Sequence, residues 1–181
     1  MDQPYVIAIS AVSGGGKTAV SQRLVKQLPN AKAIYFDDFD LRGPDDISAW
    51  VKSGGDPHIW DLTPFVESFN RLRAELPGFI VLDYPFLYGH RQMSELINLA
   101  VFIDTPLDIA MARRIIRDHE GHLGADIIEE MRYYLSRARL AYLDMLRTIK
   151  PQADLVVDGA LPLLDVVKII GERLRIEHFF M

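Results

Sequence analysis

Five short runs of apolar, largely β-branched or aromatic residues recur along the chain: Tyr5–Ser10, Ala33–Phe36, Phe79–Asp83, Leu99–Ile103 and Leu155–Val157. Within them hydrophobic positions follow one another instead of alternating. That is the pattern of strands buried on both faces, so a parallel sheet covered by helices is expected. The intervening segments Thr18–Leu28, Thr63–Leu76, Pro106–Arg117, Ala125–Ile149 and Pro162–Ile176 place apolar residues three and four apart, as amphipathic helices do. Strand and helix in alternation predict a three-layer α/β architecture. In Ala125–Ile149 the residues Tyr133, Tyr134, Leu135, Leu140, Tyr142, Leu143 and Leu146 read as the buried stripe of one long helix.

Two stretches break the pattern. Asp37–Pro57 is polar and rich in Gly and Pro, with a short helix expected over Asp45–Val51, capped by Asp45. Long irregular segments in compact domains are commonly binding loops or lids, which makes the region of about 37–62 the expected substrate loop. The second break, His119–Gly124 (HEGHLG), closes an expected lid region of about 113–125. His119 and His122 have no third ligand nearby and no thiol partner, so a zinc site is not expected.

Composition narrows the class. At 181 residues the chain is expected to form one domain, 1–181, with no repeat or linker to divide it. Twenty-five acidic against 20 basic residues give a net charge of -5, and no block of Lys or Arg offers a footprint for nucleic acid. There is no cysteine, and no apolar run approaches the roughly 20 residues needed to span a bilayer. The short run after Met1 lacks the basic flank of a secretory signal. A soluble cytoplasmic protein without membrane or nucleic-acid partners is expected, its oligomeric state left open, a homodimer included.

The first strand run leads directly into Ala11-Val12-Ser13-Gly14-Gly15-Gly16-Lys17-Thr18-Ala19. Backbone N–H groups can surround a phosphate only where no Cβ blocks their approach, and a helix that starts at the same point turns its positive end toward the anion. Lys17 adds a mobile charge for the β- and γ-phosphates, and the Thr18 hydroxyl is a ligand type for Mg²⁺. Ser13 to Ala19 are therefore assigned to a bound nucleoside triphosphate. The strict pattern G-x-x-x-x-G-K-[ST] fails only at its first position, where Ala11 stands.

The second strand run ends in Tyr35-Phe36-Asp37-Asp38-Phe39. A carboxylate at the end of a strand beside the phosphate loop can take the proton of an attacking hydroxyl, or orient Mg²⁺ through water. Asp83 closes another apolar strand. A carboxylate in such a place needs a cationic partner, which Mg²⁺ or a salt bridge would supply. Arg113 and Arg117, four apart on a helix, can close together over phosphate oxygens, whereas Arg114 lies off that face.

At these residues the chain resembles the P-loop small-molecule kinases that include uridine kinase, nicotinamide riboside kinase, phosphoribulokinase and bacterial pantothenate kinase. The resemblance runs over nearly the whole chain. It implies a sheet order 2-3-1-4-5, a small helical lid, and an ATP- and Mg²⁺-dependent transfer of phosphate to a small hydroxyl acceptor. IYFDDFD is similar to the family segment whose first aspartate is the base, here Asp37, with Asp38 beside it on the substrate side. HIWDL resembles a segment whose aspartate holds ribose hydroxyls, which maps to Asp61 with Trp60 as a stacking surface. FIVLDYPFLYG is similar to the third strand and its acidic end, so Asp83 joins Thr18 at the metal and Tyr84 falls at the substrate. LAVFIDTPLDIAMARRIIRD resembles the fourth strand and lid helix, which makes Arg113, Arg114 and Arg117 lid arginines. PQADLVVDG is similar to the closing strand.

Uridine kinases carry a β-hairpin after the second strand for which this chain has no room, and GPDDISAWVKSGGDPH matches no family substrate loop. A nucleoside is the expected acceptor; pantothenate, a sugar or sugar phosphate, and a nucleoside monophosphate are alternatives. Only Arg42 and Lys52 offset six acidic residues between Asp37 and Asp56, which favours a neutral one. A nucleotide-dependent switch protein is the rival of another class, although the N/T-K-x-D motif that reads guanine is missing.

Overall fold

The computed structural model describes residues 3–119 and 124–179. Strands β1 (Tyr5–Ser10), β2 (Ala31–Tyr35), β3 (Phe79–Asp83), β4 (Leu99–Asp104) and β5 (Leu155–Asp158) form one parallel sheet in the order β2-β3-β1-β4-β5. The helices are α1 (Lys17–Gln27), α2 (Ile47–Lys52), α3 (Thr63–Ala74), α4 (Arg91–Ser94), α5 (Leu107–His119), α6 (Gly124–Tyr133), α7 (Arg139–Thr148) and α8 (Leu163–Phe179). Among the described residues no helix is long and apolar enough to cross a membrane.

The continuous apolar runs serve two cores at once. Along β1, Val6 and Ala8 point to one side, where Phe65 and Phe69 of α3 and Ile149 beyond α7 cover them. Ile7 and Ile9 point to the other side, against Val20 and Leu24 of α1 and Val166, Val167, Ile170 and Leu174 of α8. Each fully buried side chain of this size contributes about 1.5–3 kcal/mol, so the sheet and not the loops fixes where the strands end. In register, Ile9 and Tyr35 both pair with Asp83, which aligns the carboxyl ends of β1, β2 and β3. Chain direction across the sheet reverses at β1, the position where open α/β sheets hold their ligands. The strand at the β5 edge departs from the two-sided pattern, with Val156 45% exposed.

Three local expectations change. The short helix is capped by Asp46, whose Oδ1 accepts from the Ser48 and Ala49 amides at 2.8 and 3.1 Å, and not by Asp45. The segment 125–149 is not one regular helix, because a π-helical turn over Tyr134–Ala138 joins α6 to α7. A π turn shifts the angular phase of everything that follows, so the expected stripe breaks up. Tyr134 stays buried, while Tyr133, Leu135 and Leu143 face outward. Residues 120–123, which include His122 and the middle of the expected lid region, lie outside the described residues.

Candidate active site

The loop Ala11–Gly16 is tied down at Gly15, and the strand end on which it stands is tied to its neighbour. The Thr105 hydroxyl at the end of β4 donates to the Gly15 carbonyl at 2.8 Å in a fully buried position. Ser10 Oγ donates to the Pro85 carbonyl at 2.8 Å, and the Tyr84 amide donates to Ile9 O at 3.0 Å, which ties the ends of β1 and β3 together. The three glycines answer to different demands. Gly14 has φ +79° and lies so close to α5 that an added Cβ would sit 2.1 Å from the Ala110 carbonyl oxygen. At Gly15 a Cβ would meet the Ala11 methyl at 2.7 Å and Val12 O at 2.8 Å, so the methyl at the pattern's first position is accommodated by the absence of one here. Gly16 has φ +99° and open space where a Cβ would point.

At the mouth of the loop, Asp83 gathers the two residues that follow the glycines. Lys17 Nζ lies 3.0 Å from Asp83 Oδ1, and the Thr18 hydroxyl donates to Asp83 Oδ2 at 2.7 Å. Asp83 is 2% exposed, so the ion pair supplies the compensation that a carboxylate at a buried strand end needs. Thr18 and Asp83 form an oxygen donor set of the kind that suits Mg²⁺, beside a cradle that a side chain at position 15 would crowd.

Two cavities meet here. One is bordered by Val12 to Gly14, Gly16 to Ala19, Gln22, Asp37, Arg113 and Arg117, so that backbone amides and three cations, with one carboxylate, face the space. The other, of about 270 Å³, is walled by Phe36, Trp50, Trp60, Phe86, Met145 and Ile149. Ser13, Lys17 and Asp37 border both. A third, apolar space beside Gly16 and Ala19 is lined by Ile103, Arg113, Gly159, Leu161 and Leu163.

Arg113 and Arg117 share the polyanion cavity as their spacing predicts, each with a partner. Arg113 Nη1 donates to the Gly159 carbonyl at 2.9 Å. Arg117 is held by the Asp118 carboxylate at 2.6 and 3.0 Å; this bond first, and Asp37 further off, keep its guanidinium more firmly protonated than usual. Arg114 turns away, with Nη1 donating to the Tyr142 hydroxyl at 2.6 Å and Nη2 paired with Glu130.

The expected substrate residues separate. Trp60 lines the aromatic cavity, in edge contact with Phe36 and Trp50. Asp38 is exposed and borders neither cavity. Asp61 caps the start of α3: its Oδ1 accepts from the Thr63 amide at 3.0 Å, and its bonds to Thr63 hold its carboxyl below the usual carboxylate range. It faces a different surface depression, with His58, His90 and Arg91. Tyr84 is fully buried, stacked on Phe65 at 5.4 Å, and burial raises its hydroxyl far above its ordinary range. Neither residue reaches the aromatic cavity, because HIWDL and the β3 end contribute their neighbours Trp60, Pro85 and Phe86 instead.

Sequence reasoning passed over Thr105, Trp50, Tyr142 and Asp144. Trp50 and Asp144 were findable, the first as an aromatic in a polar loop, the second as a lone carboxylate inside Tyr142-Leu143-Asp144-Met145-Leu146.

No family model matches the chain. A uridine kinase of Streptococcus equi subsp. zooepidemicus (strain MGCS10565) is 25% identical over 203 aligned positions, covering 96% of each chain. Among solved structures, the tunicamycin resistance protein of Deinococcus radiodurans superposes with a TM-score of 0.57 at 17% identity, over 94% of this chain and 95% of that one. A gluconokinase from Sinorhizobium meliloti 1021 does so with 0.53 at 18% identity, over 97% and 98%. Over nearly its whole length the chain is thus similar to uridine kinases, and it shares their kind of P-loop kinase fold. The strand order, the glycine loop after β1 and the acidic end of β3 are where that likeness is carried, and of the expected substrate residues Trp60 lines the aromatic cavity.

Proposed function

We propose that the protein transfers the γ-phosphoryl group of ATP to a hydroxyl of a small molecule, with a nucleoside as the acceptor class. The observation that carries this reading is the shared border of the two cavities at Ser13, Lys17 and Asp37. A phosphate-binding loop alone serves switches and motors as well as kinases. A second, apolar chamber that opens onto the position of the terminal phosphate is what a two-substrate transfer needs.

In this reading Ser13 to Ala19 hold the triphosphate, and the apolar space beside Gly16, Arg113 and Leu161 takes the donor's base. Thr18 and Asp83 would hold Mg²⁺, which when bound offsets charge on the phosphate oxygens. The acceptor lies in the aromatic chamber, which excludes water from the transfer. Its hydroxyl oxygen attacks the γ-phosphorus, the bond from that phosphorus to the β–γ bridging oxygen breaks, and the electron pair leaves with ADP. The acceptor's proton passes to Asp37, while Lys17, Arg113 and Arg117 offset charge on the moving group. Positioning and charge carry most of such a reaction.

The deciding measurement is ADP release with a panel of nucleosides, sugars and vitamins, with product masses read in parallel. ADP formation that depends on an added acceptor, with a mass gain of one phosphate, is expected. ATP turnover indifferent to every acceptor would instead indicate the switch class.

A further inference from the structure

One charged side chain of the aromatic chamber has no part in the transfer. Asp144, on α7, lines the chamber together with Tyr142, Met145 and Thr148, and is 8% exposed. Its Oδ1 accepts from Arg147 Nη2 at 2.6 Å, but Arg147 leans outward at 73% exposure and does not border the chamber. Its Oδ2 faces Gly55, so closely that a Cβ there would lie 2.8 Å away. Gly55, with φ +64°, thus lies beside the carboxylate with no side chain between them. One oxygen of a buried carboxylate is anchored, and the other is left to accept.

The rest of the lining says what would reach it. Phe36, Trp50, Trp60 and Phe86 present aromatic surface suited to a flat ring. The ionised groups on the lining are Lys17, Asp37 and Asp144, and Lys17 is already paired with Asp83. Asp144 is paired in turn with Arg147, so among the described residues the apolar shell holds the unpaired carboxylate of Asp37 and no free cation, which penalises an anionic guest. A flat heterocycle offers in-plane donors as ring-edge N–H groups, and a carboxylate accepts those strongly.

We propose that Asp144 selects the acceptor: its Oδ2 takes a hydrogen bond from a ring-edge N–H of an uncharged or cationic heterocyclic acceptor, and the same carboxylate rejects acceptors that carry a phosphate or carboxylate. This rests on the kinase reading above, and it discards the anionic alternatives of that reading. A site built around a buried acceptor discriminates against a ligand that cannot donate, because Oδ2 is then left without a donor while Arg147 still holds Oδ1.

Trp50 and Trp60 are the two tryptophans of the chain and both line the chamber, so intrinsic fluorescence reports its occupancy without turnover. The full-length protein is titrated with uridine, with 3-methyluridine, which lacks the ring N–H, and with uridine 5′-monophosphate. Uridine is expected to bind at least about tenfold more tightly than either analogue, the worth of a hydrogen bond to a charged group. Asp144→Asn should weaken uridine by about 10- to 100-fold and shrink its advantage over 3-methyluridine to within about twofold. Calorimetric ATP affinity should not change. Arg147→Ala, which removes the anchor but not the acceptor, should keep the uridine preference; a purely structural ion pair would make the two variants alike. Equal binding of uridine and 3-methyluridine by the unaltered protein overturns the proposal, even if the Asn variant does not fold. So does tighter binding of the monophosphate, or no response to uridine. Acceptor-dependent ADP formation from a compound without N–H groups would overturn the role of Asp144 and leave the kinase reading standing. ATP turnover without acceptor dependence would remove both.

Discussion

Replacing Gly14 and Gly16 one at a time by alanine separates the architectural demand of the loop from its binding demand. Both have positive φ, +79° and +99°, so each alanine pays about 1–2 kcal/mol for a left-handed backbone. At Gly16 nothing else lies within 4 Å of the new methyl. At Gly14 the methyl would stand 2.1 Å from the Ala110 carbonyl oxygen and 3.1 Å from Arg114 Cβ. Ordinary contact requires more than 1 Å of retreat by a helix backbone, and overpacking of this kind costs about 1–3 kcal/mol in addition. The expected loss is about 2–5 kcal/mol for Gly14→Ala against about 1–2 for Gly16→Ala. At roughly 2–4 °C per kcal/mol for a domain of this size, the unfolding midpoint should fall by about 4–20 °C in the first case and about 2–8 °C in the second. Scanning fluorimetry without nucleotide measures the order, and calorimetry with MgATP should show the reverse for the surviving fold: Gly16→Ala keeps the structure and loses affinity, since on the proposed reading its methyl takes space beside the triphosphate. If Gly14→Ala melts no lower than Gly16→Ala, the contact between the loop and α5 does not carry the packing assigned to it.

Asp37→Asn should retain MgATP binding by calorimetry while acceptor-dependent turnover drops by about 10²- to 10⁴-fold; undiminished turnover removes Asp37 as the base. Lys17→Ala should weaken ATP by more than about tenfold, and should lower the unfolding midpoint of the nucleotide-free protein as well, because Asp83 then keeps only the Thr18 hydroxyl. An unchanged midpoint would mean that the ion pair is not what compensates Asp83. Asp61→Ala should leave the acceptor KM within about twofold, since its carboxylate caps α3 and faces another surface; a KM raised beyond about tenfold would place it in the site after all.

The individual strands and the phosphate loop were legible because each is one contiguous run, whereas the order of the strands came from the family resemblance. Unbroken apolar runs such as Phe79–Leu82 leave a strand no choice but two-sided burial, and Gly14 to Thr18 is contiguous. The pairing of Arg113 with Arg117, and not with Arg114, followed from helical spacing alone. Apart from Trp60, the aromatic chamber was not legible, because its walls come from α2, the Pro57–Trp60 turn, the β3 end and α7, which only the tertiary fold brings together. Asp61 and Tyr84 lie away from the chamber although each adjoins a chamber residue in sequence: Tyr84 follows the end of a strand, where successive side chains alternate, and Asp61 turns back to the Thr63 amide. The π turn at Tyr134–Ala138 was invisible too, since hydrophobic periodicity presumes a constant number of residues per turn.

The contact of Asp83 with both Lys17 and Thr18 has a bearing on what the empty loop tolerates. A lone inorganic phosphate or sulfate that draws Lys17 toward itself takes that lysine from an almost fully enclosed carboxylate and gives nothing in return, so its net gain is small. A triphosphate arriving with its own divalent ion leaves a replacement counter-charge behind at the aspartate. On the proposed reading, the rivalry of Asp83 for one ammonium group would guard the free protein against simple anions, and a guest that brings a cation along would relieve it.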